Sequence, residues 1–392
     1  MSLAHVDVHC NTPVHYLDSR QECGVLAFRS SRRTAGPAVL AAGLVLALTA
    51  CGGGADGTAT PDTLDPNADL STQKLTVSNW DGYMPEDLPA KFKAAAGPTV
   101  TVTKHATNEE VMAKLTAGAD SGIDVAFVSG QFAQALAEQG LLEPVHADLV
   151  PNLKNLYPEA RQLAYDNGNK YSVPYTWGTT GLCYRTDLTG YTPDSWEDLL
   201  SPKPQLVKKV TMMATERWLM LPAQKALNFS ANTTDAEQLE QVKQKLLTAK
   251  KTLLAYDDTT FGDRLKSGEA ALVEAWDGWC PTDDPKIKFV VPKEGSDLWV
   301  DTMVILKTSK NKEAAHAFIN YILDADNHRW AAENILYKVP NSAAMAKIDA
   351  KLLETHPQLT MTPAELLTQE VPVDLGDAAP AYTRIATEVS AG

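Results

Sequence analysis

From residue 74 onward the chain alternates short apolar stretches with segments of helical spacing. Residues 74–80, Lys-Leu-Thr-Val-Ser-Asn-Trp, alternate with period two, as a strand with one buried face does. Helical spacing follows at 85–96, a second β-like run at 99–104 and a helix at 108–115. Asp124-Val125-Ala126-Phe127-Val128 reads as a short buried strand, and 131–139 as a helix ending at Gly140. This alternation predicts an α/β layer on a largely parallel sheet. After residues 171–175 the pattern changes. Strands are expected at 181–184, 270–276, 288–291 and 301–306, and helices at 195–200, 218–227, 234–251 and 312–323. The reading is two α/β lobes, with the chain crossing between them more than once and no internal repeat.

Upstream the pattern is different in kind. An apolar run from Ala38 ends in Leu48-Thr49-Ala50-Cys51-Gly52 and is preceded by Arg29, Arg32 and Arg33. A basic flank, a short apolar stretch and small residues before a cleavage point make a secretory signal. The cysteine directly after them makes it a lipoprotein signal, its thiol carrying the lipid. A membrane-spanning anchor is the competing reading, but the run falls short of the roughly 20 residues a span needs. Residues 1–50 are therefore expected to be a signal peptide, with 1–24 either an unusually long flank or a start placed upstream of the true one. Residues 51–71, rich in Gly, Thr, Pro and Asp, read as a lipidated cysteine and flexible tether.

Removing the leader leaves roughly 340 residues, enough for two ordinary lobes. It also leaves 31 basic against 46 acidic side chains, a net charge of about −15. That disfavours nucleic acid and anionic headgroups as partners and is compatible with a cationic ligand. Cys183 and Cys280 are the only cysteines left after the lipid-bearing one. In an exported domain the reading favours a disulfide between them over two buried thiols.

No catalytic constellation is present. The chain has no Gly-x-Ser-x-Gly elbow, no His-Glu-x-x-His helix and no phosphate-cradling Gly-rich loop. Histidines 105, 146, 316, 328 and 356 are scattered, and no ligand spacing suggests a metal. Aromatic residues stand out instead. Trp80 and Tyr83 follow the first strand, Trp276 ends another, Trp299 opens the strand bearing Asp301, and Tyr337 lies before Pro340. In open α/β sheets ligands bind beyond the carboxyl ends of strands. Aromatic faces there clasp aliphatic chains and attract ammonium groups, at roughly 0.5–2 kcal/mol per contact.

Several of these stretches resemble, in order, the spermidine/putrescine-binding proteins of ABC importers. They are Asn79-Trp80-Asp81-Gly82-Tyr83, Tyr175-Thr176-Trp177-Gly178-Thr179-Thr180-Gly181, Ser195-Trp196-Glu197-Asp198-Leu199, Trp276-Asp277-Gly278, Pro292-Lys293-Glu294-Gly295, Trp299-Val300-Asp301 and Tyr337-Lys338-Val339-Pro340-Asn341. The resemblance implies a type II periplasmic-binding-protein fold, two α/β lobes joined by crossover hinge strands and closing on ligand. Lobe 1 is expected at 72–178 plus 300–345, lobe 2 at 181–297 plus 349–392. It further implies no enzymatic activity and no cofactor. The expected partners are a small cationic amine and the permease and ATPase subunits, engaged by a monomer held by its lipid anchor to the outer face of the cell membrane.

Carried over residue by residue, the resemblance makes Trp80, Tyr83, Trp276, Trp299 and Tyr337 an aromatic box and Asp301 the central amine-binding carboxylate. Ser129 matches a serine near the cleft, while Gln131 replaces the family's next aromatic. Thr215 and Trp218 stand where the family holds a terminal ammonium with two carboxylates, and the family's C-terminal glutamine has no clear counterpart around Val371. An ammonium without a partnering carboxylate costs several kcal/mol to dehydrate. Glu216, Asp257 or Asp277 are then the candidates to seat a far amine; otherwise the ligand is shorter or singly charged, or the solute is not a polyamine. A sensor or an exported enzyme on the same scaffold are the remaining readings.

Overall fold

The computed structural model describes residues 64–391 apart from Ala119. The signal sequence, Cys51 and most of the tether lie outside the described residues. The tether's end has regular structure: Asp69 caps a 3-10 turn at Leu70–Thr72, and Leu70 packs on the core. No helix of the described residues is long and apolar enough to cross a membrane.

Nine strands form one sheet. They are β1 (Lys74–Asn79), β2 (Thr99–Lys104), β3 (Val125–Ser129), β4 (Ser172–Arg185), β5 (Val210–Met212), β6 (Ala255–Tyr256), β7 (Leu272–Trp276), β8 (Ile287–Val290) and β9 (Leu298–Ile305). Their order is β2-β1-β3-β9-β4-β7-β5-β6, with β8 also on β4. The sheet is mixed rather than largely parallel. β1, β2 and β3 run parallel, as do β5, β6 and β7, but β9 is antiparallel to β3, and β4 is antiparallel to β7, β8 and β9. The parallel trios are each built from local strand–helix–strand units. The antiparallel seams arise where the chain re-enters from far along the sequence, which local alternation does not report.

β4 is the second departure from expectation. Instead of a short strand at 181–184, one strand of 14 residues passes through both halves of the sheet. Its first part pairs with β9 from Ser172↔Val304 to Thr179↔Leu298, and its second with β7 from Thr180↔Trp276 to Tyr184↔Leu272. Pro174, Gly178 and Gly181 read as breakers, yet each is accommodated. The register slips between Pro174 and Thr176, so the missing proline N–H falls at a bulge. Gly178 and Gly181 admit the Trp299 and Phe289 rings, which a Cβ would strike.

Each half has its own core. Leu75, Val77, Phe92, Phe127, Met303, Phe318 and Ile319 fill the first, under the helix Lys312–Ile322. Leu182, Trp196, Met212, Leu219, Val242, Leu246 and Tyr382 fill the second, under the helices Glu216–Ala226 and Ala236–Ala249. Asp235 caps the longer helix through Glu237 and Gln238 N–H. Cys183 on β4 and Cys280 beyond β7 are joined by a disulfide closing a separation of 97 residues.

Buried beside the first core, His328 donates from Nε2 to the Tyr175 carbonyl (2.7 Å), so the proton sits on Nε2 and Nδ1 accepts from Asn341 Nδ2 (3.2 Å). Both ring nitrogens are thus used by the neutral form, and burial lowers the His328 pKa to about 4. A depressed folded-state pKa means that stability is fully present above the ordinary histidine value and is lost as pH falls toward 4, by up to on the order of 3 kcal/mol. The melting temperature is expected to drop between pH 6.5 and 4, and His328→Gln to flatten that drop; an equal slope in the variant contradicts this assignment.

Candidate functional site

The carboxyl ends of β1 and β3 in one half, and of β5, β6 and β7 in the other, open on one cleft of about 810 Å³. Parallel strands leave their loops and helix N-termini at that edge, so the topology alone selects the place. Asp301 lies at its floor. On β9 it is paired across to Ser129, the last residue of β3, and on its other side to Thr176 of β4.

The Asp301 carboxylate is held by hydroxyls. Tyr83 Oη donates to Oδ2 at 2.6 Å, and Ser129 Oγ donates to Oδ1 at 2.7 Å. Having given its only proton to Asp301, the Tyr83 oxygen accepts from Thr176 Oγ1 at 2.9 Å. Ser129 is itself fixed by Asn108, whose amide accepts from Ser129 N and donates to Ser129 Oγ. Burial pushes the Asp301 pKa up, while the hydroxyls of Tyr83, Ser129 and Thr176 draw it back down. Among the described residues no cation pairs with it, so this is a dehydrated carboxylate stabilised by dipoles alone.

Aromatic rings surround that carboxylate. Trp80 meets Tyr83 edge-on at 5.2 Å, and Tyr337 meets Tyr83 at 6.3 Å and Trp299 at 4.5 Å. Burial, with Asp277 and Asp301 nearby, raises the Tyr337 pKa well above the usual phenol range and keeps it neutral. From the second half, Trp276 ends β7 and meets Trp218 edge to face at 5.3 Å. Gln131, on the first turn of the helix Gly130–Glu138, adds a neutral amide to the wall.

Thr215 and Trp218 also line the cleft, at the start of the helix Glu216–Ala226, and each commits its side-chain donor to a carboxylate. Thr215 Oγ1 donates to Asp258 Oδ2 (3.2 Å), and Trp218 Nε1 donates to Asp297 Oδ2 (3.0 Å). All ten residues expected at the site therefore share one cavity. Of the candidate replacement carboxylates only Glu216 lines it. Asp257 is spent on Thr260 and Arg264, and Asp277 is buried against Lys338 Nζ at 2.9 Å.

Sequence reasoning missed other lining residues, among them Asp258, Trp279, His105 and Asn108. Asp258 follows β6, a strand of two residues too short to register as periodic. Trp279 stacks parallel to Tyr337 at 6.2 Å, and its position three residues past Trp276 was the available signal. His105 stands edge-on to Trp80 at 4.9 Å, with burial lowering its pKa to about 4. Asn108 carries no sequence signal beyond its place at a helix start. Around the cleft the carboxylates of Asp81, Glu109, Glu216, Asp258, Asp301 and Asp374 face one guanidinium, Arg217, so the field favours a cation.

The sequence profile of the family described as bacterial extracellular solute-binding protein matches residues 87–361. The chain is 30% identical to the spermidine/putrescine-binding periplasmic protein 1 of Haemophilus influenzae, over 83% of this chain and 94% of that one. It is 30% identical to the putrescine/cadaverine-binding protein of Pseudomonas aeruginosa, over 72% of this chain and 83% of the other. Among solved structures, the spermidine/putrescine ABC transporter substrate-binding protein of Streptococcus pneumoniae superposes with a TM-score of 0.69 at 26% identity. That match covers 81% of this chain and all of the other.

Gly178 makes the tight packing of this site testable. An alanine Cβ there would collide with the Trp299 ring and with Asp277 Oδ1. Gly178→Ala is expected to cost about 1–3 kcal/mol of stability and to displace Trp299. Thermal melting with near-ultraviolet circular dichroism checks this; an unchanged melting temperature and spectrum contradict it.

Proposed function

This chain belongs to the bacterial extracellular solute-binding proteins, and on that premise we propose that it captures a small cationic amine, polyamine-like, and delivers it to an ABC permease. The observation that carries the proposal is the Asp301 carboxylate, dehydrated, held by hydroxyl donors and lacking a cation, at the floor of an aromatic cleft. An ammonium there completes the ion pair, while Trp80, Tyr83, Trp276, Trp299 and Tyr337 enclose the methylene chain. The names of the relatives point to the same class of solute.

In this reading the mechanism is capture without covalent chemistry. The two halves of the sheet act as lobes, at 72–178 plus 300–345 and at 181–297 plus 349–392, and the crossover through β4 and β9 is their hinge. Closure brings the Trp218–Trp276 wall onto a ligand seated at Asp301 and presents a docking surface to the permease. The protein works as a monomer, tethered by lipidated Cys51 beside its transporter. A second reading, a ligand with a single ammonium, is favoured by one observation: at the expected terminal-amine seat Thr215 and Trp218 contribute no carboxylate of their own, and their donors are spent on Asp258 and Asp297.

Calorimetry with putrescine, spermidine and a monoamine distinguishes the two readings by the rank of affinities. Asp301→Asn is expected to weaken amine binding by at least about 2 kcal/mol, and Trp276→Ala by about 1–3 kcal/mol. Wild-type affinity in Asp301→Asn would overturn the electrostatic role. Cys51→Ser is expected to release the mature protein from the membrane fraction, read by fractionation and intact mass; retention with a lipid-free mass contradicts the anchor.

A further inference from the structure

Asp297 is a buried carboxylate that the capture mechanism does not use. It sits immediately before β9, is 3% exposed, and does not line the cleft. Its Oδ1 accepts from Thr180 N at 3.0 Å, at the step where β4 passes from β9 to β7. Its Oδ2 accepts from Trp218 Nε1 at 3.0 Å. The neighbouring Ser296 hydroxyl donates to the Thr180 carbonyl at 2.6 Å, and Ser296 N donates to Gln369 Oε1 at 2.7 Å, so the segment is clamped on both sides. Among the described residues no lysine, arginine or histidine pairs with Asp297.

We propose that Asp297 is a positioning residue for ligand capture, acting through Trp218 and resting on the amine reading of the cleft. Indole has one hydrogen-bonding group, the Nε1–H. Giving it to a carboxylate fixed at the strand crossover sets the rotation of the ring. Trp218 is thereby held in the cleft lining, nearly perpendicular to Trp276 at 5.3 Å. The same bond pushes electron density into the ring, and the charge behind it, which the Arg217 guanidinium also feels, is weakly screened by its buried surroundings. Both effects strengthen the attraction of that ring for a cation. The arrangement supplies part of the negative field that Thr215 and Trp218 cannot, without exposing a carboxylate to the ligand. It also ties the ligand-facing wall of the second half to the crossover itself.

A double-mutant cycle on the mature protein, with spermidine and putrescine titrated by calorimetry, tests this. Asp297→Asn keeps an acceptor for the indole but removes the charge, and is expected to weaken amine binding about five- to tenfold. In a Trp218→Phe background, which lacks the N–H, the same change is expected to alter affinity less than twofold. Unchanged affinity in Asp297→Asn, or an equal loss with and without Trp218, overturns the proposal while leaving the amine reading standing. Absence of amine binding by the wild-type protein overturns both. If Asp297→Asn does not fold, Asp297→Ser takes its place in the same cycle, and the same outcomes decide.

Discussion

A carboxylate taken out of water must be paired, protonated or surrounded by donors, and the treatment of Asp301 is the constraint around which the ligand cleft is organised. Tyr83 arrives from the loop after β1, Ser129 from the end of β3, and Thr176 from β4. Two of them thus spend a hydroxyl on one charge, and the third backs the tyrosine that does so. Hydroxyl dipoles offset part of the desolvation cost but supply no counter-charge, which leaves the group poised for a cation. Asn108 extends the constraint one step outward by fixing Ser129. On the proposed function the aromatic rings add the second half of the recognition, because they exclude water from the same space while presenting negative faces to it.

The sheet makes that floor common to both halves. β9 carries Asp301 between β3 and β4, and β4 continues past it to pair with β7, whose last residue is Trp276. The floor and the far wall are therefore linked through a few backbone hydrogen bonds around Thr179–Thr180. Buried polar groups collect at that same point: Asp297 on Thr180, Asp277 within reach of Thr179 N, and Lys338 on Asp277. Such groups are costly when a partner is lost, so they favour a small number of discrete arrangements over continuous bending. The disulfide between Cys183 and Cys280 stiffens the second half just beyond the crossing.

Much of this was legible in the chain because the informative features are local. Alternation gave β1, β2, β3 and β7 to within a residue or two, and aromatics at strand ends, Trp80 and Trp276 among them, pointed to the cleft. The mixed direction of the sheet was hidden, since pairing between β3 and β9 joins residues more than 170 positions apart. Only the 181–184 part of β4 was expected, because Pro174 and two glycines are local breakers, whereas the bulge and the approaching rings that tolerate them are tertiary. Asp258, Asp297 and Trp279 escaped for a related reason. Their meaning lies in what they face, a helix N-terminus, an indole N–H and a tyrosine ring, and none of those neighbours is adjacent in sequence.

The central claim is that the cleft selects for a positive charge at Asp301. Native mass spectrometry of the mature protein, given equimolar putrescine, spermidine and neutral diols of matched length, tests it most directly. The account predicts an amine adduct, lost in Asp301→Asn, and no diol adduct. Equal occupancy by diol and amine, or an amine adduct that survives the loss of the carboxylate, would contradict it.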